Sequence, residues 1–206
     1  HEKLENYLET LQERGEVAFT KKEALLDLRM TEIAFDRSSQ RLIKKQHLIK
    51  PLSGFYVIAT PENRVMGGPD PINYINKLMK FIEQPYYIGL LSAALRHGAT
   101  HQAVMELQVI TTKPIKTIII GRQRVRFIVN KHTKEIPTTE LKTKQGHVLI
   151  STVEATAFDL VRFYKKSGGY SHIATVFLEI GSKINVTKLG KIADIYNDTP
   201  LTQRVG

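Results

Sequence analysis

The chain has 206 residues, 42% of them hydrophobic, no cysteine, and 30 lysines and arginines against 20 aspartates and glutamates, a formal net charge of +10. That length allows one large or two small domains; the lack of cysteine excludes disulfides and thiolate metal sites, and no apolar run approaches the roughly 18 residues of a membrane span. The opening residues His1-Glu2-Lys3-Leu4 lack the form of a signal peptide, so a cytoplasmic protein with an acidic partner is expected.

Leu4, Tyr7, Leu8 and Leu11 recur at helical spacing and end before Gly15, which predicts a first helix. Its other face carries Glu2, Glu5, Glu9 and Glu13, and should point away from any nucleic acid. Glu16 to Phe19 can add a short strand. A capping box opens the next helix: the hydroxyl of Thr20 can hold the amide of Glu23, while Glu23 reaches back to Thr20. Ala24, Leu25 and Leu28 supply its apolar stripe. Arg29-Met30-Thr31 is a short break, with Thr31 as the N-cap of a further helix over Glu32 to Gln46.

That helix divides into two faces. Phe35, Ser39, Leu42 and Ile43 point inward at steps of three or four, and Arg37, Gln40, Arg41 and Lys44 follow the same steps on the other side. His47 to Lys50 and Phe55 to Ile58 then read as strands joined by the turn Pro51-Leu52-Ser53-Gly54. Helix, turn, basic helix and hairpin is the order of a winged helix-turn-helix, whose second helix lies in the DNA major groove. Between Leu28 and Lys50 there are six basic residues and two acidic ones, whereas residues 1 to 27 hold four basic and seven acidic. The positive charge thus falls where a phosphate partner requires it. Arg37, Gln40 and Arg41 are the candidates for base edges, since both side-chain types can form bidentate pairs there. Lys21, Lys22, Lys44, Lys45 and Lys50 are the candidates for phosphate contacts.

The first domain should close near residue 60. Pro61 to Pro71, rich in proline, glycine and polar residues, reads as a linker, and residues 72–206 as a second domain. There, Ile72 to Ile82 is predicted helical, with Ile72, Ile75, Leu78, Met79 and Ile82 inward. Tyr86 to His97 is predicted as one buried helix, ended by Gly98. Val104 to Thr111, Ile115 to Ile120 and Gln123 to Asn130 are rich in β-branched residues and predict an antiparallel sheet, with a further strand at Gly146 to Ile150. Ser151-Thr152-Val153-Glu154 is a second capping-box pattern, opening a helix that carries Ala157, Phe158, Leu160, Val161 and Tyr164 and breaks at Gly168-Gly169. Helices near His172 to Ile180 and Thr187 to Tyr196 complete the set. His1 in the place of a methionine leads us to expect either a missing true start or a tag remnant, and an end at Pro200 to Gly206 without a cap or a charged tail leads us to expect that the natural chain continues. The fold class is therefore α+β: an N-terminal winged helix-turn-helix followed by a mixed helix and antiparallel-sheet domain.

Residues 1 to 60 carry a net charge of +1 and residues 61 to 206 a net charge of +9. Seven basic residues fall between Lys113 and Lys134 with no acid among them. In a strand, Arg122, Arg124 and Arg126 share one face and Val125, Phe127 and Val129 the other. This arginine ladder is either a solvated sheet face or a surface for an acidic partner.

Signs of catalysis are few. Neither phosphate-cradling glycine pattern is present. His97 and His101 lie four apart, but Gly98 interrupts them and no carboxylate completes a metal set. Glu140-Leu141-Lys142 matches half of a metal-dependent nuclease site and lacks the acidic partner that would hold the ion. Gly181-Ser182 is not followed by the paired aspartates of a nucleotidyltransferase. Glu154 and Asp159 read as helix-start residues. The expectation is a binding protein with no catalytic residue, metal or cofactor.

Gly54-Phe55-Tyr56-Val57-Ile58 at the end of the winged domain, Tyr86 to Gly98, the arginine-bearing strand Arg122 to Phe127, and Ile150 to Leu160 follow one another in an order that resembles the AbiEi family of antitoxins, from bacterial type IV toxin–antitoxin (abortive infection) systems. The resemblance spans nearly the whole chain. It implies a winged domain that binds operator inverted repeats in double-stranded DNA and represses its own operon. It also implies a C-terminal domain that counters a nucleotidyltransferase toxin, directly or indirectly, without a stable complex being required. The alternatives are a protein-interaction module gripping an acidic partner through Arg122, Arg124 and Arg126, and a stand-alone winged-helix regulator with no toxin.

Overall fold

The computed structural model describes residues 2–99 and 106–196. It is an α+β structure that divides into two compact units. The first comprises His1–Glu83, Ile118–Arg124 and Lys142–His147; the second comprises Gln84–Thr117, Val125–Leu141 and Val148–Gly206.

The first unit opens with α1 (Glu2–Glu13), β1 (Ala18–Thr20), α2 (Lys21–Leu28), α3 (Glu32–Lys44), β2 (Leu48–Leu52) and β3 (Phe55–Ile58). The strands form an antiparallel sheet in the order β1-β3-β2. Leu4, Leu8 and Leu11 of α1, Phe35 and Leu42 of α3, and Phe19, Leu48, Tyr56 and Ile58 of the sheet share one core. Phe19 stacks on Tyr56 at 5.5 Å between ring centroids and Phe35 meets the same ring edge-on at 5.3 Å. Each such fully buried side chain contributes roughly 1.5–3 kcal/mol by leaving water. The hairpin strand β2 runs further than its sequence predicts. Pro51 and Leu52 belong to it, because an irregularity in register between Ile49 and Leu52 accommodates the proline, and only Ser53 and Gly54 make the turn.

Residues 61–71 carry a short 3-10 turn at Arg64–Met66, and a second turn, Pro71–Asn73, leads into α4 (Ile75–Phe81). Phe81 packs on Phe55 at 5.6 Å, and the Lys77 ammonium sits 3.4 Å from Glu16 and 3.1 Å from Glu23. Backbone also meets backbone closely here: a Cβ at Gly67 would lie 2.6 Å from the carbonyl oxygen of Ile120.

The six-stranded sheet takes the order β6-β7-β5-β4-β9-β8, from β4 (Tyr86–Ile88), β5 (Glu106–Thr111), β6 (Ile118–Ile120), β7 (Gln123–Val129), β8 (Thr138–Thr143) and β9 (Gly146–Ser151). It is mixed rather than purely antiparallel: β4 runs antiparallel to β5 and parallel to β9, with Ile88 opposite Ile150. The buried helix expected over Tyr86 to His97 is therefore two elements, β4 and α5 (Leu90–Arg96). Tyr86-Tyr87-Ile88 are β-prone residues buried on both faces of an interior strand, and an all-round apolar run cannot by its period distinguish such a strand from a buried helix. The helix starts only beyond Gly89, where Leu90 turns into the left-handed region at φ 52° and the side-chain oxygen of Gln108 accepts from the Leu91 amide at 2.9 Å.

Other boundaries shift as well. β5 is described from Glu106, and Val104 lies outside the described residues. β6 begins at Ile118, and β8 is a strand the sequence reading missed. The helices α6 (Val153–Arg162), α7 (Tyr170–Ile180) and α8 (Val186–Tyr196) follow, with a 3-10 turn at Tyr164–Lys166. α6 packs against α5, α7 and α8, and every residue from Glu154 to Val161 is buried. No capping box forms at Ser151, which ends β9. The N-cap is Thr152, whose hydroxyl accepts from the Ala155 amide at 3.2 Å, and the Glu154 carboxylate instead accepts from the amide of Asn185 at 3.0 Å. Among the described residues no helix is long and apolar enough to cross a membrane.

Candidate nucleic-acid interface

Two caps set the helix pair. The Thr20 hydroxyl accepts from the Glu23 amide at 3.2 Å while the Thr20 amide donates to the Glu23 carboxylate at 2.7 Å, so the predicted capping box is complete. Arg29 ends α2 in the left-handed region (φ 47°), and Thr31, extended, accepts from the Ala34 amide at 3.3 Å to start α3. Three residues thus turn the chain from one helix into the next.

On α3 the two faces separate as the spacing predicts. Phe35, Ser38, Ser39 and Leu42 are buried and Ile43 is half-buried; Arg37, Gln40, Arg41 and Lys44 are exposed. Arg41 and Lys44 also occupy the last turn, where cations complement the helix dipole. Beyond the helix, Lys50 of β2 is exposed, with its ammonium 5.9 Å from the centre of the Tyr56 ring.

The remaining lysines differ. Lys22 is exposed. The Lys21 ammonium is 2.9 Å from Asp36 and 3.1 Å from Glu32, and these two carboxylates raise its pKa. Lys45 lies 3.6 Å from Glu5, and both border a depression of about 220 Å³ with Ser38, Arg41 and Leu42. Glu5 therefore turns toward the basic helix instead of away from it, drawn by the opposite charge; Glu9 and Glu13 are exposed, and the side chain of Glu2 lies outside the described residues. Two of the five lysines assigned to phosphate thus have carboxylates of their own.

The arginine ladder is less regular than period-two alternation implies. Arg122 lies in the turn before β7 and is exposed, as is Arg124, whereas Arg126 is half-buried with its guanidinium 3.7 Å from Glu106. On the apolar face Val125 and Phe127 are buried, but Val129 is 43% exposed and Ile128 is buried in its place.

A polar cluster that sequence reasoning missed lies inside the second unit. Asp159 is fully buried in the body of α6, not at its start. Its two carboxylate oxygens accept from the hydroxyls of Tyr87 (2.6 Å) and Tyr196 (3.1 Å), and the Asn130 amide donates to the Tyr196 oxygen at 2.6 Å. Burial pushes the Asp159 carboxyl up to about 6, against the opposing pull of the two hydroxyls and of Arg162. Both tyrosines are raised, by burial first and by the Asp159 charge second, and so remain donors. The signal was an aspartate amid Ala157, Phe158, Leu160 and Val161, a charge inside an apolar helix.

Among the described residues the candidate catalytic fragments do not come together. The His97 ring nitrogen Nε2 is 2.8 Å from the Ser151 carbonyl oxygen, and His101 lies outside the described residues. Glu140 and Lys142 are exposed on β8, and Gly181 and Ser182 sit in a 3-10 turn. Among the described residues no three His, Asp or Glu side chains gather as a metal would require.

A family model described as the AbiEi antitoxin C-terminal domain matches residues 87–206. No curated protein matches the sequence. Among solved structures, the crystal structure of the RV2827C protein from Mycobacterium tuberculosis is similar over 100% of this chain and 80% of its own, with a TM-score of 0.65 at 13% identity, a likeness of fold. The solution structure of the antibiotic-resistance factor ANT(2'')-Ia aligns with 61% of this chain and 89% of its own at a TM-score of 0.38 and 12% identity.

Proposed function

This chain belongs to the AbiEi antitoxin family, and on that premise we propose that it is the antitoxin of a type IV toxin–antitoxin pair that also represses its own operon. In this reading residues 1–60, within the first compact unit, are a winged helix-turn-helix, residues 61–71 a connecting segment, and residues 72–206, which contribute to both units, the region that counters a nucleotidyltransferase toxin. The observation that carries the DNA-binding reading is the exposed row Arg37, Gln40, Arg41 and Lys44 on α3, entered through a three-residue turn and followed by the β2–β3 hairpin. A helix in that setting lies in the major groove with its exposed side chains at the base edges. Arg37, Gln40 and Arg41 read bases; Lys22, Lys44 and Lys50 hold phosphates. Lys21 and Lys45 reach phosphate only by leaving Glu32, Asp36 and Glu5.

The test is a gel-shift titration on the promoter of the operon that encodes the chain. Arg41→Ala should weaken binding by about 1–3 kcal/mol and relax base preference. Normal operator binding by that variant would remove this face from the interface. For the second role, Arg122, Arg124 and Arg126 are replaced together and the chain is co-expressed with the neighbouring nucleotidyltransferase. Loss of rescue with operator binding intact supports a separate toxin-countering surface; unchanged rescue excludes the three arginines from it.

A further inference from the structure

α3 carries one exposed apolar side chain that neither the core nor the row of cations explains. Ile33 is 67% exposed, at the second position of the helix, two residues after the Thr31 cap. β-branched residues are poor choices for an exposed helix position, since their stiffened side chains lower helix propensity with no burial in return. Its spacing aligns it with function: Ile33, Arg37, Gln40 and Lys44 follow one another at four, three and four residues and make one continuous stripe. The last three are the side chains assigned to bases and phosphate, so Ile33 is the N-terminal end of the reading face. That end of a recognition helix is the one that reaches the base edges.

Chemistry narrows the occupant. In the major groove the apolar feature on a base edge is the C5-methyl of thymine, which apolar side chains contact. The two acids next to Ile33 would oppose a polyanion, but Lys21 binds both, with its ammonium 3.1 Å from Glu32 and 2.9 Å from Asp36. The first turn of α3 thus presents an apolar side chain flanked by two carboxylates, one of whose charges the Lys21 ammonium offsets.

We infer that Ile33 is a specificity-determining residue that packs on a thymine methyl in the operator, adjacent to the base read by Arg37. This rests on the DNA-binding reading above and assigns to it one base-pair position.

The experiment selects duplexes from a randomised pool with the whole protein and then replaces each thymine of the selected site by deoxyuridine, which deletes only the methyl. At one thymine per half-site the wild-type protein should bind about fourfold more weakly, the worth of one buried methyl-sized group. Ile33→Ala should bind the thymine and deoxyuridine duplexes equally, Ile33→Val should retain most of the discrimination, and Arg37→Ala should lose affinity yet still sense the methyl. Ile33→Ala should melt at or slightly above the wild type, because the side chain is exposed and alanine is the better helix former. Selective binding with no thymine whose methyl effect vanishes in Ile33→Ala overturns this inference and leaves the repressor reading standing. Selection of no sequence at all overturns both. Self-association in sedimentation that Ile33→Ala abolishes would assign the residue to a contact between copies and likewise overturn it.

Discussion

Asp159 is the residue whose environment departs furthest from what its neighbours in sequence predict. An unfolded aspartate titrates near 3.8, and in the fold burial lifts this carboxyl to about 6. The folded state therefore keeps a proton that the unfolded chain has already lost. The stabilisation associated with that proton is complete below about 3.8 and disappears as pH rises through about 6, a window worth roughly 3 kcal/mol. Above it the carboxylate is charged in the core and depends on the hydroxyls of Tyr87 and Tyr196, 2.6 and 3.1 Å away, and on nearby Arg162. Tyr87→Phe removes a donor to the charged form, so the Asp159 pKa should rise further in a carbon-13 carboxyl titration. The melting temperature of the variant should fall further behind the wild type at pH 7.5 than at pH 5. A gap of equal size at both values would mean that the hydroxyl does not support the charged carboxylate.

Between elements, caps and close approaches decide where helices begin and how loops lie. Thr20→Ala removes one side of the box at the start of α2 and should cost about 1 kcal/mol, read as a lower urea midpoint with an unchanged slope. Gly67 is more demanding: its φ is 97°, and an added Cβ would meet the Ile120 carbonyl oxygen at 2.6 Å and the Gly121 Cα at 2.7 Å. Backbone cannot yield as a flexible side chain would, so Gly67→Ala should destabilise by roughly 2 kcal/mol or more in the same assay. The first of these was legible in the sequence and the second was not. Local rules sufficed for Thr20 and Glu23, for the Thr31 cap and for the two faces of α3, because each depends on residues within one or two turns. They did not suffice for β4, whose Tyr86, Tyr87 and Ile88 form a strand because β5 and β9 flank them. Nor did they suffice for β8, where no residue from Thr138 to Thr143 is fully buried and no strict alternation marks a strand. The Asp159 cluster joins residues 87, 130, 159 and 196, and no short-range pattern reports such a meeting. For the candidate interface, the exposed row was readable from period alone, but the capture of Lys21 by Glu32 and Asp36 and of Lys45 by Glu5 was not.

Over the whole molecule the charge is unevenly shared, +9 of the net +10 lying in residues 61 to 206. Net charge alone would direct a duplex to that region, whereas the reading proposed above rests on the exposed row of α3. Binding to a duplex releases about 0.9 counterions for every phosphate neutralised, so the slope of log affinity against log salt counts the cations that engage. Lys44→Ala and Lys50→Ala, which remove exposed lysines, should each lower the slope by about one. Lys21→Ala should leave it nearly unchanged: the loss of a cation already neutralised by two carboxylates releases no ions from DNA, and it exposes Glu32 and Asp36 to the duplex, so affinity falls at every salt concentration. Arg124→Ala, far along the chain and exposed, should alter neither slope nor affinity if operator binding belongs to the helix pair and hairpin alone. A slope that falls by one in Arg124→Ala and stays constant in Lys50→Ala would relocate the interface to the basic sheet, and the excess charge of residues 61 to 206 would then be the DNA-binding charge.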